Sequence, residues 1–100
     1  MDVTITNAGD AIRAKLVGPI ADSDASSLKE AFARLQQSNE KQVVIDLTYV
    51  PTITSSGIGK LISLYRKVNA QNREFRIEGI HESLKTLFES IHLDKLFKLA

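Results

Sequence analysis

The sequence predicts an α/β domain with a small mixed sheet of about four strands and four helices, in the order ββαβαβαα. Two observations lead to this fold class. Short runs of β-branched and apolar residues, the clearest at positions 43–47, alternate along the chain with segments whose apolar residues recur every three or four positions. Strands separated by helical segments pair in parallel through right-handed crossovers, which predicts a sheet that is parallel except for an N-terminal hairpin.

The N-terminal segment is predicted to form a hairpin and then a helix. Apolar and polar side chains alternate over residues 3–6 and 12–16, and the polar residues 7–10 between them are typical of a turn. Gly18 and Pro19 end the second strand. We expect Asp22 or Ser23 to cap the first helix. The apolar positions of that helix are Ala25, Leu28, Ala31, Phe32 and Leu35.

The segment from Val43 to Val68 is predicted to form a buried strand, a turn and a long helix. Asp46 is expected to have a structural role at the end of the strand, and Pro51 prevents the strand from continuing. The apolar face of the helix is formed by Ile58, Leu61, Ile62, Tyr65 and Val68. Three hydroxyl residues, Thr54, Ser55 and Ser56, therefore stand where the helix begins.

These hydroxyls have two interpretations. One is capping, since Ser or Thr at a helix N-cap satisfies an unpaired N–H group and stabilises the helix by about 1 kcal/mol. Capping accounts for only one of the three. The other is that an exposed serine at the positive end of the helix dipole is well placed to carry a phosphate group.

The C-terminal segment is predicted to form one more strand and two helices. Residues 74–78 alternate in polarity, and Gly79 is expected to end that strand. Residues 81–91 and 93–99 follow as helical segments. We expect His81 to lie in a helix-cap region and His92 at a helix end, rather than in a catalytic or metal site.

Length, composition and charge limit the classes of function. One hundred residues suit a single domain spanning residues 1–100, and a net charge of +1 argues against a nucleic-acid-binding protein. Cysteine is absent, which excludes a thiolate metal site. The N-terminal residues have neither the basic nor the apolar region of a signal peptide, and no apolar run is long enough to span a membrane. We therefore expect a complete, soluble domain in the cytoplasm.

The sequence does not favour an enzyme. A hydrolase nucleophile elbow needs glycine two residues before the serine, which neither Ser55 nor Ser56 has. Gly57 and Gly59 lack the third glycine of a dinucleotide-binding loop, and no Gly-Lys-Ser/Thr pair indicates a P-loop. His92 and nearby acids form a poor metal-binding pattern. No catalytic residue, metal ion or cofactor is therefore predicted.

The central segment resembles a known family. An apolar strand ending in Asp-Leu is followed by Val-x-x-Ile-x-Ser-Ser-Gly-Ile-Gly and an apolar helix, a pattern similar to that of STAS domains and, within them, of bacterial anti-sigma-factor antagonists. The residues that carry the resemblance are Ile45, Asp46, Leu47, Val50, Ile53, Ser55, Ser56, Gly57, Ile58, Gly59 and Leu61. The resemblance extends from about residue 12 to residue 97 and implies a small sheet with helices packed mainly on one side.

The resemblance also implies a site. The family usually reads Asp-Ser-Ser-Gly or Asp-Ser-Thr-Gly, and the hydroxyl directly after the Asp, here Ser55, is the one that is phosphorylated. Thr54 stands where the family has the Asp. The resemblance places the partner-binding surface at the helix N-terminus and at nearby acids, and the implied residues are Thr54, Ser56, Gly57, Ile58, Gly59, Lys60, Asp22 and Asp24. Two glycines in the first turn suggest close approach by another surface.

The implied function is that of a partner-switching regulator. The unphosphorylated domain would bind an anti-sigma factor that is also a serine kinase, phosphate on Ser55 would release it, and a serine phosphatase would reset the switch. The kinase brings ATP and Mg²⁺. The alternative is a non-switching STAS scaffold subunit of a transporter or larger regulatory assembly. A neighbouring gene for a kinase, or for a transporter, would discriminate between them.

Overall fold

The fold contains four strands and four helices in the predicted order. The structure is a computed structural model that describes residues 1–99. The strands are β1 (Asp2–Ala8), β2 (Ala11–Val17), β3 (Gln42–Tyr49) and β4 (Glu74–Ile80). The helices are α1 (Ala25–Gln37), α2 (Ser55–Ala70), α3 (Glu82–Ser90) and the short α4 (Leu93–Leu96). The predicted fold class is confirmed.

The sheet has the strand order β1-β2-β3-β4. Strand β1 pairs with β2 in antiparallel orientation, while β2 with β3 and β3 with β4 are parallel. Because α1 and α2 each connect two parallel neighbours, both helices start at the carboxyl edge of the sheet. This topology brings the loop after β2 next to the loop after β3.

The helices bury one face of the sheet. Apolar residues of β2 and β3 alternate towards that face, where Ala14, Val43, Ile45 and Leu47 are fully buried. The predicted apolar positions of α1 and α2 supply much of the opposing layer, including Leu28, Phe32, Leu35, Leu61 and Val68. Burying such side chains stabilises the fold by roughly 1.5–3 kcal/mol each.

Asp46 does not end its strand, contrary to the prediction. Strand β3 continues to Tyr49, and Asp46 lies within it, only 5% exposed. Its carboxylate accepts hydrogen bonds from the Thr48 N–H (2.9 Å), the Thr48 hydroxyl (2.6 Å) and Arg13 Nη2 (2.8 Å). Burial alone would raise the pKa of Asp46, but these three donors outweigh it and hold the pKa below its usual value. These partners allow the carboxylate to be buried within the strand.

Gly79 does not end its strand either. Strand β4 continues to Ile80, and Gly79 has a φ of +90°, a conformation that side-chain-bearing residues rarely adopt. A Cβ at this position would collide with the Thr48 hydroxyl. The glycine is therefore required by the close approach of the polar group around Asp46 rather than by chain termination.

The helix starts differ in one further respect from the sequence prediction. A 3-10 turn formed by Asp22–Asp24 precedes α1, so the N-cap of α1 is Asp24, not Asp22 or Ser23. The predicted positions of the two histidines at helix ends are confirmed. His81 is the N-cap of α3 and its Nδ1 accepts from the Ser83 N–H at 3.1 Å, while His92 follows α3 with a left-handed φ of 64°.

Candidate functional site

The loops after β2 and β3 are joined to each other by backbone hydrogen bonds. Ile20 forms an isolated parallel bridge with Ile53. The Ile20 N–H donates to the Thr52 carbonyl at 3.0 Å, and the Thr54 N–H donates to the Ile20 carbonyl at 3.1 Å. Ile20 and Ile53 thus fix the start of α2 beside the residues that lead into α1. Ile20 was not identified from the sequence, because an isolated apolar residue after a Gly-Pro pair carries no distinctive pattern.

Thr54 caps α2. It has an extended backbone, with φ −76° and ψ 162°, and its hydroxyl accepts a hydrogen bond from the Gly57 N–H at 3.2 Å. Ser56 instead accepts from Lys60 Nζ at 3.2 Å. The capping interpretation is therefore correct for Thr54 and leaves Ser55 with no role in capping.

Ser55 is the first helical residue of α2 and is exposed. Within residues 1–99 its hydroxyl takes part in no side-chain hydrogen bond, unlike the hydroxyls of Thr54 and Ser56. The first turn of α2 contains no acidic residue. The hydroxyl of Ser55 is therefore accessible at the amino end of the 16-residue helix α2. The helix dipole makes this end positive, and no acidic side chain in the first turn offsets that charge.

The two glycines of the first turn have different surroundings. Gly57 is buried, and a Cβ added to it would lie 2.7 Å from Ile53 Cγ1 and 3.2 Å from Ile20 Cγ2. A Cβ on Gly59 would meet nothing within 4 Å. Packing inside the domain therefore accounts for a glycine at position 57, and its place in a partner-binding surface stays a prediction. Gly59 lies on the exposed side of the helix.

The other residues implied for the site lie close to the surface. Ile58 is half-buried and packs against the core, and Lys60 is half-buried one turn after Ser56. Asp22 is exposed in the 3-10 turn before α1. The bridge between Ile20 and Ile53 brings this turn and the start of α2 to the same edge of the sheet.

Asp24 stabilises the turn before α1. Its Oδ2 accepts from the Ala21 N–H at 2.8 Å, and its Oδ1 lies 3.5 Å from the Met1 amino group. The hydrogen bond from Ala21 lowers the pKa of Asp24, and the amino group adds to that effect against a smaller opposing effect of burial. The carboxylate is therefore ionised over most of the pH range and already engaged.

The family follows from a sequence comparison. A family model described as the STAS domain matches residues 3–100. This chain belongs to the STAS domain family. The resemblance inferred from the Ser-Ser-Gly-Ile-Gly segment is thereby confirmed at the level of the family.

Solved structures share this STAS fold. An anti-sigma factor antagonist from Mycobacterium paratuberculosis superposes with a TM-score of 0.86 at 21% identity, covering 96% of this chain and 81% of that one. The Bacillus cell fate determinant SpoIIAA in its phosphorylated form gives 0.74 at 11% identity, covering 94% and 86%. A sulfate transporter family protein from Wolinella succinogenes gives 0.74 at 15% identity, covering 88% and 71%. At such identities the likeness establishes the fold alone.

Residues 1–99 of this STAS domain contain neither a membrane-spanning helix nor a cluster of metal-binding side chains. In that part of the chain, none of the helices combines the length and the apolar character that crossing a membrane requires. The same residues contain no cluster of three or more His, Cys, Asp or Glu side chains arranged to hold a metal ion.

Proposed function

We propose that this STAS domain is an anti-sigma-factor antagonist that works as a partner switch. The observation that carries the proposal is the exposed Ser55 hydroxyl at the start of α2, where Thr54 already supplies the cap. A phosphate on Ser55 can therefore be added without breaking an existing hydrogen bond of the helix start. The single-domain organisation of residues 1–100 is part of this proposal.

The switch rests on a change of charge. Phosphate adds a charge of about −1.5 to −2 at neutral pH, next to Ser56 and Lys60. The Lys60 ammonium donates a hydrogen bond at 3.2 Å to Ser56, the residue directly after the modified one. In the unmodified state this surface is neutral to mildly basic and binds the partner. After phosphorylation, an unpaired negative charge in the interface weakens that binding.

The proposed partners are an anti-sigma factor that is also an ATP-dependent serine kinase, and a serine phosphatase. The STAS domain acts as substrate and ligand of these proteins, not as an enzyme, and needs no cofactor because the kinase supplies ATP and Mg²⁺. Neither a nucleic acid nor a membrane is a proposed partner. A cytoplasmic location follows from the requirement for a kinase that uses ATP.

The test uses the anti-sigma factor kinase encoded in the same genome. We expect mass spectrometry after incubation with the kinase and ATP to locate phosphate on Ser55. Ser55→Ala should bind the kinase normally and accept no phosphate, and Ser55→Asp should bind weakly. Ser56→Ala serves as the matched control, and it should be phosphorylated like the wild type. Phosphate on Thr54 or Ser56 would contradict the assignment of the residue.

Thr54 provides a second test of the same proposal. Asp is also a good N-cap residue, so Thr54→Asp should keep the hydrogen bond to the Gly57 N–H and restore the acid of the family pattern. We expect the variant to be phosphorylated faster by a kinase that acts on Asp-Ser substrates, because a charge-assisted contact is worth about 1.5–3 kcal/mol. Faster phosphorylation of the wild type by the native kinase would mean that this kinase recognises threonine.

Thr54 also supports a second candidate function, a non-switching STAS scaffold in a transporter or larger assembly. The neutral residue before Ser55 departs from the pattern of phosphorylated antagonists. A scaffold of this kind would not be phosphorylated as wild type or as Thr54→Asp. A transporter gene beside the coding sequence would favour the scaffold, and a kinase gene would favour the switch.

A further inference from the structure

A groove separates α1 from α2 on the outer side of the helix layer. It encloses about 160 Å³ and is lined by residues of both helices. Lys29, Phe32 and Ala33 contribute from α1, and Lys60, Ser63, Leu64 and Lys67 contribute from α2. Both sets repeat at intervals of three and four residues, so each lies along one face of its helix. The groove is therefore a continuous feature about two helical turns long.

The floor of the groove is apolar and buried. Phe32 and Leu64 are 7% and 2% exposed, and they form the floor where the two helices pack. Ala33 and Ser63 are small residues in the middle of the two facing surfaces. Small side chains at the centre of a two-helix groove leave space for one apolar side chain of a third element.

The charged residues that line the groove are all positive. Lys29, Lys60 and Lys67 surround the floor, and the groove lining contains no acidic residue. Within residues 1–99, none of these three lysines forms an ion pair with a carboxylate. Lys60 and Lys67 are seven residues apart, which corresponds to about 10.5 Å along the helix. The positive charges therefore flank the apolar centre along its length.

We propose that the groove between α1 and α2 binds an acidic amphipathic helix of a partner protein. An apolar side chain of that helix enters between Ala33 and Ser63. Carboxylates on either side of it face Lys29 of α1 and, about two turns apart, Lys60 and Lys67 of α2. A membrane surface fits less well, because Phe32 and Leu64 lie at the bottom of a narrow groove that a flat bilayer does not reach. This surface exists whether or not Ser55 is modified, so the inference goes beyond the proposed switch.

The experiment uses the Ser55→Ala protein, in which phosphorylation cannot contribute. The probe is a stapled helical peptide with a central leucine and glutamates on both sides, and its matched control carries glutamine in place of glutamate. We expect the glutamate peptide to shift the amide resonances of residues 29–36 and 60–67 in ¹⁵N–¹H NMR spectra. The glutamine peptide should bind more weakly.

Charge variants locate the interaction. Lys29→Gln combined with Lys67→Gln should weaken the affinity roughly fivefold to thirtyfold, because each exposed ion pair contributes up to about 1 kcal/mol. Lys41→Gln combined with Arg66→Gln removes the same charge outside the groove lining and should leave the affinity within about twofold of the parent protein. Ala33→Leu fills the centre without changing charge and should also weaken binding.

Three results would overturn the proposal. The first is equal affinity for the groove variant and the Lys41→Gln, Arg66→Gln control. The second is equal binding of the glutamate and glutamine peptides. The third is a shift of the groove resonances by phosphatidylglycerol vesicles but not by the peptide, which would identify the surface as a lipid-binding site.

Discussion

Helices α1 and α2 begin side by side at the same edge of the sheet, yet their amino ends carry different charge. The start of α1 is preceded by Asp22 and Asp24, and the Asp24 carboxylate is engaged by the Ala21 N–H. The start of α2 is capped by the neutral Thr54 and has no acid in its first turn. The amino end of α1 thus has carboxylates directly before it, whereas α2 is preceded by the neutral Thr54.

This difference bears on the proposed switch, because it distinguishes the two helix starts as places for a phosphate group. A negative charge near a helix N-terminus stabilises the helix by about 0.3–1 kcal/mol, and the effect is largest where no other anion is already present. Phosphate near Asp22 and Asp24 would instead meet like charges. In the proposed switch, Ser55 therefore stands at the helix start whose first turn carries no acid, where an added negative charge is favourable within the domain.

The largest expected effect on stability concerns Gly57, which packs against Ile53 and Ile20 where the starts of the two helices are joined. Gly57→Ala places a Cβ 2.7 Å from Ile53 and 3.2 Å from Ile20, and overpacking of this kind costs roughly 1–3 kcal/mol. Gly59→Ala meets no atom within 4 Å and should raise the free energy of unfolding by up to about 1 kcal/mol. Urea denaturation of both variants measures the difference. Equal effects would mean that Gly57 does not fix α2 against the neighbouring loop.

Removal of the neutral cap should have the next largest effect. Thr54→Ala leaves the Gly57 N–H without its side-chain acceptor, and we expect the free energy of unfolding to fall by about 1 kcal/mol. Thr54→Ser is the control and should retain most of the stability. A Thr54→Ala variant as stable as the wild type would show that the hydrogen bond of 3.2 Å contributes nothing to the start of α2.

Acid should reduce the contribution that the start of α1 makes to stability, but not the contribution of the Thr54 cap of α2. The pKa of Asp24 is lowered in the folded protein, so its contribution to stability is present above its ordinary pKa of 3.8 and is lost as the pH falls through the folded value. Urea denaturation between about pH 5 and pH 2.5 should give a shallower pH dependence for Asp24→Asn than for the wild type. Thr54→Ala should keep the wild-type dependence, since a hydroxyl cap does not titrate. The same slope in all three proteins would contradict the role of Asp24.

A smaller effect on stability is expected when one negative charge is added at the start of either helix. Ser55→Asp should stabilise the domain by about 0.3–1 kcal/mol, because the carboxylate meets the positive end of α2. Ser26→Asp, in the first turn of α1, should stabilise it less, because Asp22 and Asp24 repel the new charge. The neutral Ser55→Asn and Ser26→Asn variants are the references. Equal stabilisation at the two positions in low salt would contradict the claim that the starts of the two helices differ electrostatically.

The sequence predicted the order of elements and the position of the hydroxyls, because both depend on periodicity and on neighbouring residues. It did not predict that the strand continues past Asp46 to Tyr49. The pairing of Asp46 with Arg13 was also not predictable, since the two residues are 33 positions apart. The different surroundings of Gly57 and Gly59 depend on Ile53 and Ile20, and Ile20 reaches the site only through tertiary structure. The 3-10 turn before α1 was also missed, because Asp22, Ser23 and Asp24 all belong to the residue types that favour N-caps.

The most direct test of the central claim, that the amino end of α2 is the terminus suited to phosphate, is the second pKa of phosphoserine at two positions. Phosphoserine can be incorporated genetically at position 55 or at position 26, and each protein can be titrated by ³¹P NMR. At position 55 the helix dipole and Lys60 favour the dianion, so its pKa should lie below the usual value of about 6. At position 26 the pKa should be higher, because Asp22 and Asp24 oppose the second charge. A pKa at position 55 equal to or above that at position 26 would contradict the account.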